Sequence, residues 1–166
     1  MAYSTLPKTK RDGTLYLHDG SGVRVSLTVE YEEGNVTIDT PKEAQTVIRD
    51  RGVITTIRKG DAEPSASGSF SAYFRQFTDA AEAGSILDFI NKTGFYSSNT
   101  STGSTGTPFV EFYTIDIEYQ VDATALGDAA TTAVNLSKCV CTASFTEGDP
   151  GSFTINFTCY GGVTYV

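Results

Sequence analysis

Tyr113-Thr114-Ile115-Asp116-Ile117-Glu118-Tyr119-Gln120-Val121 alternates strictly between apolar and polar side chains. The odd positions are Tyr, Ile, Ile, Tyr and Val; the even positions are Thr, Asp, Glu and Gln. A period of two belongs to a β-strand with one face in a core and the other in water. The wet face carries two carboxylates and no cation. This segment therefore predicts a β-rich fold and an acidic surface on it.

The same alternation recurs on both sides. Val23, Val25, Leu27, Val29 and Tyr31 share one face of a strand, with Arg24, Ser26, Thr28 and Glu30 on the other, and this strand pairs with Thr14 to His18 as a hairpin. Gly68, Phe70, Ala72 and Phe74 line one face of the segment from Ser67 to Phe77. Gly68 has no side chain to pack, which marks a bulge or a close backbone approach. A last hairpin joins Val134–Phe145 to Ser152–Tyr160. One face of that hairpin holds Cys139, Cys141, Ala143 and Phe145, together with Phe153, Ile155, Phe157 and Cys159.

A single helix is predicted over residues 79–92, where Ala83, Ile86, Leu87 and Ile90 follow helical spacing and Gly94 supplies a stop. Ser85 with Asp88 offers a later start. Residues 1–12 show no periodicity and read as an extended N-terminal arm. Residues 40–52, with Pro41, several charges and Gly52, read as a long projecting loop or hairpin. Residues 97–108 are almost all Ser, Thr, Gly and Asn, too polar to order themselves, and read as a flexible loop. The expected fold is one mainly β domain over residues 1–166: a β-sandwich or curved, barrel-like sheet with one short α-helix.

The formal net charge is -8, which repels nucleic acid and argues against ordinary DNA or RNA binding. The charge is uneven. Lys8, Lys10 and Arg11 make one basic segment, and Arg49, Arg51, Arg58 and Lys59 make another. An acidic chain with two basic segments can pair with copies of itself. The first residues lack an apolar leader and no run is long enough to span a membrane, so synthesis in a cytoplasm without membrane binding is expected.

Little in the chain suits catalysis. His18 is the sole histidine, and no Ser-His-Asp context is legible around it. Cys139, Cys141 and Cys159 are an odd count on apolar strand faces and read as small buried hydrophobes. A Cys139–Cys159 bridge depends on the hairpin register, and a reducing cytoplasm disfavours it. The spacing of Cys139 and Cys141 matches neither zinc nor redox motifs. Asp116 and Glu118 stand about 7 Å apart along their strand, a separation a glycosidase can use. The chain has no Trp, however, and no aromatic sugar cleft is legible. No enzyme, cofactor or metal centre is expected.

Three blocks carry a resemblance. They are Arg49-Asp50-Arg51-Gly52, then Arg58 to Pro64 with Gly68 to Phe74, and the closing Ala143 to Pro150 with its following strand. Together with the order of elements, they resemble tail tube proteins of long-tailed bacteriophages. The resemblance implies homohexameric rings that stack into a hollow tube, through which viral DNA passes into the host without specific binding. It implies tail tip, tape-measure and terminator proteins as partners, assembly in the host cytoplasm, and a final place in the virion tail. Under it, Asp116, Glu118 and Glu30 are the expected lumen-lining residues, and Lys8, Lys10, Arg11, Arg49 and Arg51 the expected inter-ring contacts. Two other readings stand beside it. One is a tube subunit of a contractile tail or type VI-like secretion machine. The other is a monomeric β-sandwich module binding carbohydrate or protein, against which an expected scarcity of exposed aromatics speaks.

Overall fold

The computed structural model describes residues 13–24, 26–29, 35–42, 45–59, 65–73, 86–103, 112–121, 131–149 and 151–166. The arm (Lys8, Lys10, Arg11) and Glu30 lie outside the described residues. The chain is mainly β, with antiparallel strands and one short helix, as the alternation predicts. The strands are β1 (Gly13–His18), β2 (Ser26–Val29), β3 (Thr37–Asp39), β4 (Gln45–Asp50), β5 (Val53–Lys59), β6 (Ala66–Tyr73), β7 (Ile115–Val121), β8 (Thr132–Thr146), β9 (Ser152–Cys159) and β10 (Val163–Tyr165). The helix α1 is Ile86–Asn91. Eight strands form one sheet in the order β2-β1-β7-β8-β9-β6-β3, with β10 also on β8, while β4 and β5 pair only with each other. No helix among the described residues is long and apolar enough to cross a membrane.

β8 organises the sheet. Its first half pairs β7 on one edge and β10 on the other, and its second half pairs β9. The change falls at a bulge: Ile115 faces Cys139 and Ile117 faces Leu136, so β8 carries one residue more than β7 between them. Lys138 takes a left-handed φ of 54° there. An extra residue in one strand bends it and restores the facing of the side chains beyond. Leu136 and Cys139, three apart, thus both point into the core.

The core is one cluster. Leu15, Leu17, Ile115, Ile117, Leu136, Cys139, Ile155 and Phe157 supply the sheet's apolar face, and Phe89, Ile90 and Tyr96 close over it. α1 is shorter than the predicted 79–92; residues 79–85 lie outside the described residues. Thr93 N–H returns to Asp88 O (3.0 Å) around Lys92, whose φ of 55° is left-handed, so the helix ends at Asn91, ahead of the expected stop at Gly94. The helix seats Phe89, which the predicted stripe omitted, edge-on to Tyr96 with ring centroids 4.8 Å apart.

Two expectations need correction. Val23 is 88% exposed, not inward: the strand begins only at Ser26. Residues 40–52, read as a loop or hairpin, do enter a hairpin: β4 starts at Gln45 and turns through Arg51 and Gly52 into β5. Residues 99–103 are anchored rather than free. Thr100 N–H donates to Asp19 Oδ2 (3.1 Å), and Thr100 O accepts Gly20 N–H (2.8 Å). Gly103 N–H donates to Thr114 Oγ1 (2.8 Å). Hydroxyl and backbone groups near the start of β7 satisfy this polar segment without apolar burial. Residues 104–108 lie outside the described residues.

Candidate functional site

Asp116 and Glu118 do share the polar side of β7, and the structure gives each a partner. Glu118 Oε2 accepts from His18 Nε2 at 2.9 Å, and His18 Nδ1 lies 2.7 Å from Ser26 Oγ. The carboxylate accepts, so Nε2 carries a proton; in the neutral ring Nδ1 then accepts the serine hydroxyl. Asp116 Oδ1 accepts Lys138 N–H at 2.9 Å, which satisfies the backbone at the β8 bulge. Its Oδ2 lies 3.4 Å from Arg24 Nη2. The two carboxylates are about one-fifth exposed, at 23% and 20% of their side-chain surface.

Ser26, His18 and Glu118 are the parts of a serine-nucleophile relay, which the sequence did not reveal because Glu118 is 100 residues from His18. Among the described residues no cleft is built around it. Ser26 is exposed on an open sheet face, and neither cavity described below is lined by any of the three. The group ties β2, β1 and β7 together. Among the described residues no group of three His, Cys, Asp or Glu side chains could hold a metal ion.

The wider polar face is nearly free of cations. Lys138 is the only Lys or Arg in β1–β3 and β6–β10. Past the bulge this face carries hydroxyls and amides: Thr142 and Ser144 on β8, Thr154, Asn156 and Thr158 on β9, and Ser67, Ser69 and Ser71 on β6. Thr37 continues it on β3, where Asp39 adds one carboxylate.

Several strand edges are open among the described residues, including that of β2 at one end of the sheet. β3 pairs only β6. Residues 140–146 of β8 pair β9 on one edge, and no described strand pairs the other. Such edges are normally guarded by charge, proline or a bulge. Val140-Cys141-Thr142-Ala143-Ser144-Phe145-Thr146 holds no charge and no proline.

The β4–β5 hairpin is the converse surface. Val47, Ile48, Val53, Ile54 and Ile57 are all exposed, at 43–67%. Arg49, Arg51, Arg58 and Lys59 stand against one acid, Asp50. A lone two-stranded hairpin is marginal in water and gains stability by packing on something. Exposed aromatics are also more numerous than the sequence suggested: Phe95, Phe112, Phe145, Tyr73, Tyr160 and Tyr165 all reach solvent. Phe112 and Tyr160 lie just beyond the ends of β7 and β9 and line an open groove of about 390 Å³ with Val140 and Lys138.

The sequence matches no protein-family model and no curated protein. Solved structures share the fold. A chain from the cryo-EM structure of an extracellular contractile injection system, described as the PVC sheath/tube terminator in extended state, superposes with a TM-score of 0.62 at 13% identity over 99% of both chains. A chain from the cryo-EM structure of the anti-feeding prophage baseplate superposes with a TM-score of 0.51 at 8% identity, over 98% of this chain and 97% of that one. The architecture is thus one found in contractile injection assemblies.

Proposed function

We propose that this chain is a non-enzymatic structural subunit of a phage-tail-like machine and works by assembling with copies of itself into rings that stack into a tube. The observation that carries this reading is the open edge at residues 140–146, free of charge and proline, which lies across the β8-β9-β6-β3 half of the sheet from the open edge of β3. Two open edges on opposite sides of one half of the sheet allow head-to-tail joining, and such a contact closes into a ring when the rotation permits. Joined in this way, the hydroxyl-rich face runs continuously around the ring.

That face is a suitable wall for a bore that passes DNA or another cargo without holding it. Hydroxyls and amides offer no fixed positive charge to a phosphate. Asp116 and Glu118 add negative charge on the same side of the sheet, weakened at Asp116 by Arg24. Screening confines any repulsion to roughly 8 Å at physiological salt, so it acts at the wall only. Glu30 is proposed with them. Between rings, the apolar and cationic β4–β5 hairpin with Arg49 and Arg51 docks on an acidic neighbour, aided by Lys8, Lys10 and Arg11. Tail tip, tape-measure and terminator proteins are the proposed further partners, with assembly in a host cytoplasm and a final place in the tail.

A second reading has its own support. The similar solved structures come from contractile assemblies, and one is described as a sheath/tube terminator. Under it the chain forms a ring in a contractile machine and caps a tube without stacking further.

Negative-stain microscopy of the concentrated full chain tests both. Stacked tubes support the tube subunit, single rings support the capping ring, and a monomer at every concentration and salt level overturns both.

A further inference from the structure

β8 and β9 bring two of the three cysteines face to face. Cys139 and Cys159 are direct partners in the register. Tyr160 N–H donates to Lys138 O at 3.2 Å, one residue further on. That flanking bond makes 139–159 a non-hydrogen-bonded pair, in which opposed Cα atoms stand only about 4.5 Å apart. A disulfide accepts Cα separations of about 4.4–6.8 Å, so the backbone need not move to admit one. The two Sγ atoms are 2.7 Å apart, and the residues are 0% and 1% exposed. Cys159 also lines an open cavity of about 440 Å³ with Thr40, Pro41, Ser65, Tyr160 and Val163. Cys141 is placed differently: it faces Phe157, and burial pushes its thiol up to about 12.

We propose that Cys139 and Cys159 are an oxidation site: a small disulfide of the oxidised-glutathione class enters the cavity beside Cys159 and leaves the two cysteines joined across β8 and β9. In the first step the Cys159 thiolate attacks one sulfur of the small disulfide. Its S–S bond breaks, and one glutathione thiolate leaves and takes up a proton. In the second step the Cys139 sulfur attacks Cys159, its proton passing to the departing second glutathione. Two protein thiols lose two electrons and two protons, and one small disulfide becomes two thiols. The order follows from the pair itself. The hydrogen bond from Cys139 to Cys159 holds the Cys139 proton in place, reinforced by burial, and the same bond favours the thiolate at Cys159. The bridge would staple β8 to β9 next to the bulge.

The test uses the folded full chain incubated with oxidised glutathione, then denatured and alkylated. The expected result is one alkylatable cysteine where the untreated chain has three, an intact mass lower by two hydrogens, and a linked pair of peptides containing Cys139 and Cys159. Cys141→Ser should bridge equally well. Cys139→Ser should stop with one glutathione on Cys159. The bridged form should melt roughly 5–10 °C above the reduced form. Three remaining thiols, or a bridge or adduct through Cys141, overturns the proposal. The peptide map of the unsubstituted chain decides it even if a variant fails to fold.

Discussion

Glu118 faces Tyr16 in the β1–β7 register, yet its carboxylate reaches His18, two residues along β1, with 2.9 Å between Oε2 and Nε2. His18 is only 6% exposed. Removing the acceptor leaves a buried ring N–H without a partner, at a cost of about 1–3 kcal/mol. Glu118→Ala should therefore lower the melting temperature by several degrees, and Glu118→Gln, which keeps an oxygen acceptor, by less. Thermal unfolding of the two variants checks this; an unchanged midpoint for Glu118→Ala would show that the pair contributes nothing.

Gly68 is a second point of close approach. A Cβ built there would lie 2.1 Å from Thr37 O and 2.5 Å from Phe157 Cζ. The carbonyl is backbone and cannot swing away. Gly68→Ala should push β3 off β6 and cost about 1–3 kcal/mol, as overpacking does. Urea unfolding gives the size of the loss, and faster amide exchange at Ile38 and Asp39 would place it.

Much of this was legible in the sequence because binary patterning reports which way a strand side chain faces. The β7 alternation gave Ile115 and Ile117 to the core and Asp116 and Glu118 to the polar side, as found. Patterning fails where a residue leaves the regular strand. Val23 precedes β2 and is exposed, although its spacing matched Val29. The bulge at Lys138 is silent, because Lys138 stays on the polar side while the register shifts beneath it. Edges are silent as well. Residues 140–146 read as an ordinary hairpin strand, and only the sheet order shows that one side lacks a described partner. Nor could local spacing join Ser26 and His18 to Glu118, a contact that the β1–β7 pairing creates.

Stability should fall on the alkaline side. Burial raises the Tyr96 phenol above its ordinary value, with Asp88 adding to it, and burial likewise raises Tyr113. Cys141 is pushed up to about 12, also by burial. In each case the folded chain holds its proton more tightly than the unfolded chain. That stability is fully present below the unfolded values, roughly 8.5 for Cys and 10 for Tyr. It is lost as pH rises through the folded values. Urea unfolding at about pH 7.5 and about pH 10.5 should show the drop, and Tyr96→Phe should reduce it. A Tyr96→Phe variant with the full alkaline loss would remove Tyr96 as a source.

The exposed hairpin predicts a variant that separates folding from assembly. Val53 and Ile57 are 67% and 58% exposed. Replacing exposed side chains away from special features changes stability by about 0.5 kcal/mol or less. Val53→Thr with Ile57→Thr should leave the melting temperature of the dilute chain almost unchanged. If a neighbouring copy buries these side chains, the same change should raise the concentration needed for stacked rings at least tenfold, since each buried aliphatic side chain contributes about 1.5–3 kcal/mol. Light scattering against concentration measures the shift, and identical curves would exclude the hairpin from the inter-ring contact.

The open edge of β8 allows a sharper separation. Tyr160 N–H bonds Lys138 O, and the register runs unbroken from there through Thr146 opposite Ser152. Hydrogen-bonded and non-hydrogen-bonded pairs alternate along an antiparallel ladder. The main-chain groups of Val140, Thr142 and Ser144 therefore turn toward β9, and those of Cys141 and Ala143 turn away. Proline removes one N–H and is tolerated where that N–H faces outward from an edge. Ala143→Pro should keep the β-sheet circular dichroism signature and a cooperative melt yet form no rings under the microscope. Ser144→Pro, one residue on, removes an N–H that bonds β9 and should destabilise the fold itself. Rings formed by Ala143→Pro at the wild-type concentration would mean that copies join through some other edge.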